Sequence, residues 1–163
     1  MIIKIIRHHI RAVGQMISSA RRLSAEQLDR PIAISVTGID DQPTIRTLLS
    51  RLVGQMDMWN SAIAMGDYDF GIERHEPLDQ LQQRLERVGP IFVDHLRRVE
   101  DDGRWGETFV DALCQPPRVF SYAGMVDHVL TSSGHRKTLV AGALADAGAP
   151  GYEALAWDGE RDG

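Results

Sequence analysis

The sequence contains a single cysteine, so no disulfide can form within one chain. It also lacks a long apolar run: the opening segment, residues 2–10, is interrupted by Lys4 and Arg7 and is shorter than the roughly 20 residues that a membrane-spanning helix needs. No leader of the signal-peptide type stands at its start. We therefore expect a cytoplasmic protein with no membrane partner.

Basic residues are not in excess either. The 163 residues include 18 lysines and arginines against 23 aspartates and glutamates, which gives a net charge of −5. Because attraction to phosphates supplies most non-specific nucleic-acid affinity, we expect no nucleic-acid partner. Glycine-rich phosphate loops, zinc-finger spacings and serine-nucleophile elbows are missing, so none of these motifs assigns an activity.

What the sequence does contain is the composition of one globular domain, with 43% apolar and 25% charged residues. A chain of this length can bury roughly 70% of its unfolded surface in a single core. We predict one domain over residues 1–150 and a C-terminal tail over residues 151–163. The sequence leaves open whether this tail is disordered or packs on a partner.

Apolar residues recur at spacings of three and four in four long segments, which is the periodicity of helices with one buried face. The predicted helices cover about residues 2–23, 41–66, 78–103 and 121–147. Asp41 and Pro43 are expected to start the second helix, and Gly148 to end the fourth in a left-handed conformation. A short turn is expected after Ser24, and a loop over residues 104–119. No segment has a credible strand pattern, so the predicted fold class is all-α, an antiparallel four-helix bundle.

Polar residues interrupt the predicted core line of the fourth helix. The line advances by three and four residues, so its polar members occupy positions where a bundle expects leucine. Buried polar groups cost about 1–3 kcal/mol each unless they find partners. We therefore expect an inward-facing polar cavity that holds water or a ligand, although histidines hydrogen-bonded within an ordinary core are the alternative. The line runs through Met125, His128, Ser132, His135 and Leu139.

A divalent metal ion is one candidate occupant of this cavity. His128 and His135 are seven residues apart, about 10.5 Å along a helix, so both could bind one ion only with a further ligand between them. His9, on the flank of the first helix, is the candidate third ligand. The competing interpretation is that each of these histidines is an ordinary hydrogen-bonded residue.

Four stretches of the sequence resemble the DinB/YfiT-like superfamily. They are LSAEQLDRP at residues 23–31, LLSRLVGQMDMW at 48–59, GMVDHVLTSSGHRKTLV at 124–140 and LADAG at 144–148. The resemblance covers about residues 8–150, and it depends on the order and spacing of the stretches. It implies an up-down-down-up four-helix bundle, often a homodimer. It also implies a divalent metal, such as zinc or nickel, held by three histidines, and chemistry on a low-molecular-weight thiol such as mycothiol or bacillithiol.

The ligand set implied by the resemblance is incomplete in this sequence. The histidine of the second helix matches Arg51, the first histidine of the last helix matches Thr131, and only His135 remains. A guanidinium is permanently charged and has no lone pair to donate, so Arg51 repels a cation. The resemblance therefore predicts that the usual three-histidine site is lost.

Three functions stay open at this point. One is an enzyme with a rearranged divalent metal site on His128 and His135, acting as a thiol S-transferase, an isomerase or a hydrolase, in which the metal lowers the pKa of bound water or thiol. The second is a protein that binds a small anion or other small molecule in the polar cavity, with Arg51 supplying charge and Thr131, Ser132 and His135 supplying hydrogen bonds. The third is a dimeric structural protein whose cavity is filled by packing.

Overall fold

The computed structural model of the chain describes residues 1–33 and 43–149. Within this part the fold is predominantly helical, as the sequence predicts for an all-α protein. None of the helices is long and apolar enough to cross a bilayer within the described ranges. The elements are α1 (Ile2–Ala20), α2 (Ala25–Leu28), α3 (Ile45–Ile63), a short 3-10 helix (Phe70–Arg74), α4 (Leu78–Asp101), β1 (Thr108–Asp111), β2 (Arg118–Ser121) and α5 (Tyr122–Asp146).

The helix ends follow local capping chemistry, and one predicted start is wrong. α3 begins at Ile45, because Thr44 is its N-cap and accepts a hydrogen bond from the backbone N–H of Thr47 at 3.1 Å. Pro43 therefore precedes the cap and is not in the first turn, while Asp41 lies outside the described residues. The left-handed end predicted after the last helix is confirmed, with φ +78° at Gly148.

A β-hairpin occupies the region predicted to be a loop. β1 and β2 pair antiparallel, with Phe109 opposite Phe120 and Val110 opposite Val119. Both phenylalanine rings pack edge-on against Trp59 of α3, at centroid distances of 5.9 Å and 5.1 Å. The expectation of no strands is wrong here, because two four-residue strands are too short to give a period-two pattern that stands out from a loop.

Contacts near the helix ends fix how the long helices run. Arg21, just beyond α1, forms an ion pair with Asp79 at the start of α4, and the amino group of Met1 lies 3.9 Å from Glu100 at the end of α4, so these two helices are antiparallel. By contrast, α3 and α4 run in the same direction, because Asn60 donates to the Val88 carbonyl at 3.1 Å and Asp57 pairs with Arg84 at 3.3 Å.

α3 and α5 are antiparallel. The rings of Trp59 and His128 are 6.3 Å apart near one end of α3, and Ile45 lines a groove together with Leu139 at the other end. The four long helices share one hydrophobic core. Its largest fully buried side chains include Ile6, Met16, Leu48, Leu52, Met56, Leu81, Phe92, Leu96, Met125 and Leu144.

Candidate functional site

The face of α5 that turns inward differs from the predicted one. His128 and His135 are exposed, Thr131 is exposed, and Ser132 is half-buried. The prediction that the two histidines line an interior cavity is therefore wrong. The buried line of α5 is displaced by one residue from the predicted line and consists of Tyr122, Met125, Val126, Val129, Ser133, Arg136, Val140 and Leu144.

The physical reason for this displacement is that the observed line buries more apolar surface than the predicted line would. The observed line buries Val129, Val140 and Leu144, each at most 2% exposed, and leaves both histidines hydrated. Its own polar members are Ser133, which is fully buried, and Arg136, whose Nη1 donates to the Ser132 carbonyl at 3.3 Å. A polar interruption of the core does exist on α5, but different side chains make it.

His9 is the buried histidine of the fold. It is 1% exposed on α1, and neither ring nitrogen has a hydrogen-bond partner among the described residues. Burial lowers the pKa of His9 to about 3, and the charges of Lys137 and His8 act in the same direction. The ring is therefore neutral at physiological pH and lies in the interior between α1 and the Lys137 region of α5.

The predicted metal ligands do not form a cluster. His9 is buried, whereas His128 and His135 lie on the exposed side of α5. Across residues 1–33 and 43–149, no three histidine, cysteine, aspartate or glutamate side chains are close enough to hold one metal ion. The residues present therefore do not fit the divalent metal that the family resemblance implies.

Arg51, which matches a family histidine, is held by an acidic partner. Its Nε lies 2.8 Å from Oε2 of Glu73, and its side chain is 36% exposed. The other carboxylate oxygen of Glu73 accepts a hydrogen bond from Tyr68 at 2.8 Å. Burial, followed by the Glu73 charge, raises the pKa of Tyr68, so the phenol remains protonated and can donate. Together these contacts fix the guanidinium at the edge of α3.

Further along the same side of α3, Arg51 is followed at four-residue spacing by Gln55 and Trp59. Oε1 of Gln55 and Nε1 of Trp59 are buried and have no hydrogen-bond partner among the described residues. A buried polar atom left unpaired costs about 1–3 kcal/mol, so the two atoms together favour an additional partner such as water or a ligand. Trp59 meets α5 at His128, so this end of the row lies against α5.

The helix directions bring Arg51 level with the predicted site residues of α5. Arg51 precedes Trp59 by eight residues, about 12 Å along α3. Since α5 runs the opposite way from the Trp59–His128 contact, the same distance along α5 leads to His135 and Arg136. Thr131 and Ser132 lie between these levels. We call the two rows the α3–α5 seam, defined by Arg51, Gln55 and Trp59 on α3 and by His128, Thr131, Ser132 and His135 on α5.

A second polar cluster was not predicted from the sequence. Arg84 and Glu76, each 3% exposed, form a two-bond ion pair at 2.8 Å and 2.7 Å. Nη2 of Arg84 also donates to the carbonyl of Ser50, and Nη1 to the hydroxyl of Tyr68. The signal that could have found it is an arginine at a core position of α4, between Leu81 and Leu85.

The structure also contains an open groove of about 440 Å³ beside the end of α5. Its walls are mainly apolar, with Arg30 and Asp146 as its charged members, and it lies between α2, the start of α3 and the last turns of α5. On α5 its lining begins at Thr138, about one turn after His135, and it includes none of the residues that define the α3–α5 seam. No family model, curated protein or solved structure matches the chain. The DinB/YfiT-like resemblance therefore stays a prediction from the residues.

Proposed function

We propose that this protein binds a small anion, a carboxylate or phosphate compound, at the α3–α5 seam. The observation that carries the proposal is the pair of buried, unpaired polar atoms, Gln55 Oε1 and Trp59 Nε1, in the same row as Arg51. The indole N–H is a hydrogen-bond donor and suits an anion or its bridging water, while the amide oxygen accepts from a hydroxyl group or water. Binding would satisfy groups that are costly to leave unpaired.

Arg51 supplies the charge in this proposal. Glu73 holds the Nε edge of its guanidinium, a planar and permanently charged group of the kind that suits carboxylate and phosphate oxygens. On α5, the exposed His135 contributes a donor at the level of Arg51, and the exposed Thr131 and half-buried Ser132 contribute donors between the levels of Arg51 and Trp59. Because His128 and His135 are exposed on α5, a ligand would approach the buried atoms of Gln55 and Trp59 from this side.

The directions of the helices support a DinB/YfiT-like architecture as part of the proposal. α1 is antiparallel to α4, α3 is parallel to α4, and α5 is antiparallel to α3. These directions are the ones that an up-down-down-up four-helix bundle requires, and residues 64–77 return along the length of α3. The homodimer implied by the same resemblance is likewise proposed.

The metal-dependent thiol transferase is not favoured, because His9 is buried while His128 and His135 are exposed, and they form no metal-binding cluster among the described residues. It has its own test, which is elemental analysis of protein purified without chelator. Zinc or nickel near one ion per chain would support it, and a metal-free sample that still binds anions would favour the small-anion function.

Calorimetric titration of the full chain with inorganic phosphate, and then with a panel of mono- and dicarboxylates, tests the anion site. We expect Arg51→Gln to weaken binding roughly tenfold or more, because a charge-assisted hydrogen bond contributes about 1.5–3 kcal/mol. Arg30→Gln is the matched control, since Arg30 is an exposed arginine that also pairs with a glutamate. We expect Arg51→Lys to be intermediate because it retains charge without the fork.

Two results would overturn the proposal. One is a wild-type protein that binds none of the tested anions. The other is equal binding by Arg51→Gln and Arg30→Gln. Tryptophan emission gives a second readout, because Trp59 lies in the seam and a ligand beside Nε1 should change its fluorescence.

A further inference from the structure

A basic groove runs between α1 and α4 on the side of the molecule that carries Arg7 and Arg11. It has a volume of about 370 Å³. Its apolar floor is made by Ile10, Pro90 and Val93. Among the described residues its rim carries Arg7, Arg11 and Arg97 together with Asp94, which pairs with Arg97 at 3.4 Å. The groove is therefore positively charged within a protein whose net charge is −5.

The sequence of α1 explains the charge of this groove. The 19 residues of α1 contain one lysine and two arginines but no aspartate or glutamate. The exposed side of the helix is consequently basic, while its other side supplies Ile6, Val13 and Ile17 to the core. Next to the groove, Ile91 of α4 keeps 41% of its surface exposed. Apolar and positively charged surface are thus combined at one place.

We propose that residues 150–163 of the same chain dock in the α1–α4 groove. This segment lies outside the described residues, and its sequence is complementary to the groove. It has four acidic residues against one arginine, together with Tyr152, Leu155 and Trp157. Acidic side chains meet the arginine rim, and the aromatic or aliphatic side chains cover the floor of Ile10, Pro90 and Val93.

Residues 150–163 are long enough to reach from the end of α5 to the α1–α4 groove. Gln27 donates to the Ala147 carbonyl at 3.5 Å, so the end of α5 lies beside α2, at the end of the fold where α1 also finishes. Arg11 is nine residues before Ala20, about 14 Å along α1. Fourteen residues of extended chain span up to about 46 Å, which leaves ample length for crossing the end of α1.

The charges of the two grooves favour the α1–α4 groove over the larger groove beside α5 as the binding surface for residues 150–163. The larger groove lies closer to Ala149, but its charged members are Arg30 and Asp146, so they offer an acidic segment no net attraction. The described lining of the α1–α4 groove has three arginines and one aspartate, so it attracts an acidic segment. The proposal gives the acidic segment a binding surface that covers apolar groups of α1 and α4, and it does not depend on the anion site at the α3–α5 seam.

Fluorine NMR of the full chain labelled with 5-fluorotryptophan tests the docking. The chain has three tryptophans, and Trp157→Phe identifies the resonance of residue 157. We expect this resonance to show a small solvent-isotope shift in the wild type. In the Arg7→Glu/Arg11→Glu variant it should move to the fully solvated position, because reversing two rim charges lowers the docked-to-undocked ratio roughly tenfold. The resonances of Trp59 and Trp105 report whether the fold is intact.

The control is Arg30→Glu, which reverses a charge in the larger groove and should leave the Trp157 resonance unchanged. Adding Glu153→Arg/Asp158→Arg to the rim variant should restore docking in part. The proposal is overturned if Trp157 is fully solvated in the wild type, if only Arg30→Glu moves its resonance, or if the rim variant has no effect. Loss of the docked signal on dilution would also overturn it, because the groove would then hold the tail of a second copy.

Discussion

Arg84 on α4 donates two hydrogen bonds to Glu76, from Nε to Oε1 at 2.8 Å and from Nη2 to Oε2 at 2.7 Å, in surroundings that leave each residue 3% exposed. Glu76 belongs to the segment that returns along α3 and lets α4 run parallel to it. The pair therefore fastens this return segment at its end, and Ser50 of α3 joins it by donating to Oε2 of Glu76 at 2.5 Å.

We expect Arg84→Met to lower the free energy of unfolding by about 3–5 kcal/mol, because it leaves the Glu76 carboxylate buried without its partner. Glu76→Gln should cost less than this, since the amide keeps one acceptor oxygen for Arg84 and Asp57 still pairs with the guanidinium at 3.3 Å. Chemical denaturation of both variants measures the difference. Arg97→Met is the control, because its pairing with Asp94 is exposed and worth at most about 1 kcal/mol. Equal losses at Arg84 and Arg97 would contradict a structural role for the buried pair.

Gly54 has no side chain, so Tyr68 and Glu73 can approach α3 closely. A Cβ at this position would lie 2.7 Å from the Tyr68 hydroxyl and would also overlap Oε1 of Glu73. We expect Gly54→Ala to destabilise the protein by about 1–3 kcal/mol, because the Tyr68–Glu73–Arg51 contacts must shift to make room. Thermal or chemical denaturation checks the value.

Gly134 provides a matched comparison within another long helix. A Cβ there meets nothing within 4 Å, so Gly134→Ala should stabilise the protein by about 0.5–1 kcal/mol through its higher helix propensity. The two substitutions are chemically the same, and their opposite signs isolate the effect of space. A stabilising Gly54→Ala would show that the close approach of Glu73 is not required for the fold.

Much of the helical architecture could be predicted, because the signals are local. The short turn after Ser24 and the left-handed Gly148 depend on neighbouring residues, and both predictions are confirmed; a Ser24–Gln27 capping box holds the turn. The inward face of α5 could not be settled in this way. Ser132 and Ser133 are adjacent serines, and lines through either of them contain polar and apolar residues, so only packing against α1 and α3 selects the line through Val129 and Val140.

The candidate site likewise depends on packing that local sequence signals do not reveal. Arg51 could be singled out from the sequence, but its partner Glu73, and Tyr68 that donates to Glu73, follow a connection whose path the sequence does not reveal. The Arg84–Glu76 pair depends on where that connection returns, and helix periodicity carries no information about this. The unpaired atoms of Gln55 and Trp59 likewise become apparent only in the folded structure, where both atoms are buried.

The hairpin thiol gives a chemical prediction. Sγ of Cys114 donates to Oδ2 of Asp111 at 3.1 Å, and this hydrogen bond, together with burial and the Asp111 charge, raises the pKa of Cys114. Asp111→Asn should lower that pKa and speed alkylation by iodoacetamide near neutral pH several-fold. The asparagine oxygen can still accept from the Leu113 N–H, so an unchanged melting temperature should accompany the faster reaction. An unchanged alkylation rate would contradict the assigned cause.

The buried ring of His9 predicts how stability depends on pH. Its pKa is lowered from 6.5 in the unfolded chain to about 3 in the fold, mainly by burial, so between these values only the unfolded chain takes up this proton. The stability contributed by the neutral ring is complete above pH 6.5 and is lost progressively as the pH falls toward 3. Between about pH 7 and pH 5 this loss amounts to about 2 kcal/mol. His9→Leu removes the titrating group and fills a similar volume. Between pH 7 and pH 5 the free energy of unfolding of this variant should therefore fall by about 2 kcal/mol less than that of the wild type. Urea denaturation at several pH values measures both slopes, with His75→Gln at an exposed histidine as the control. If the wild type and His9→Leu lose stability in parallel, the proton is taken up elsewhere and His9 is not the group that limits stability in acid.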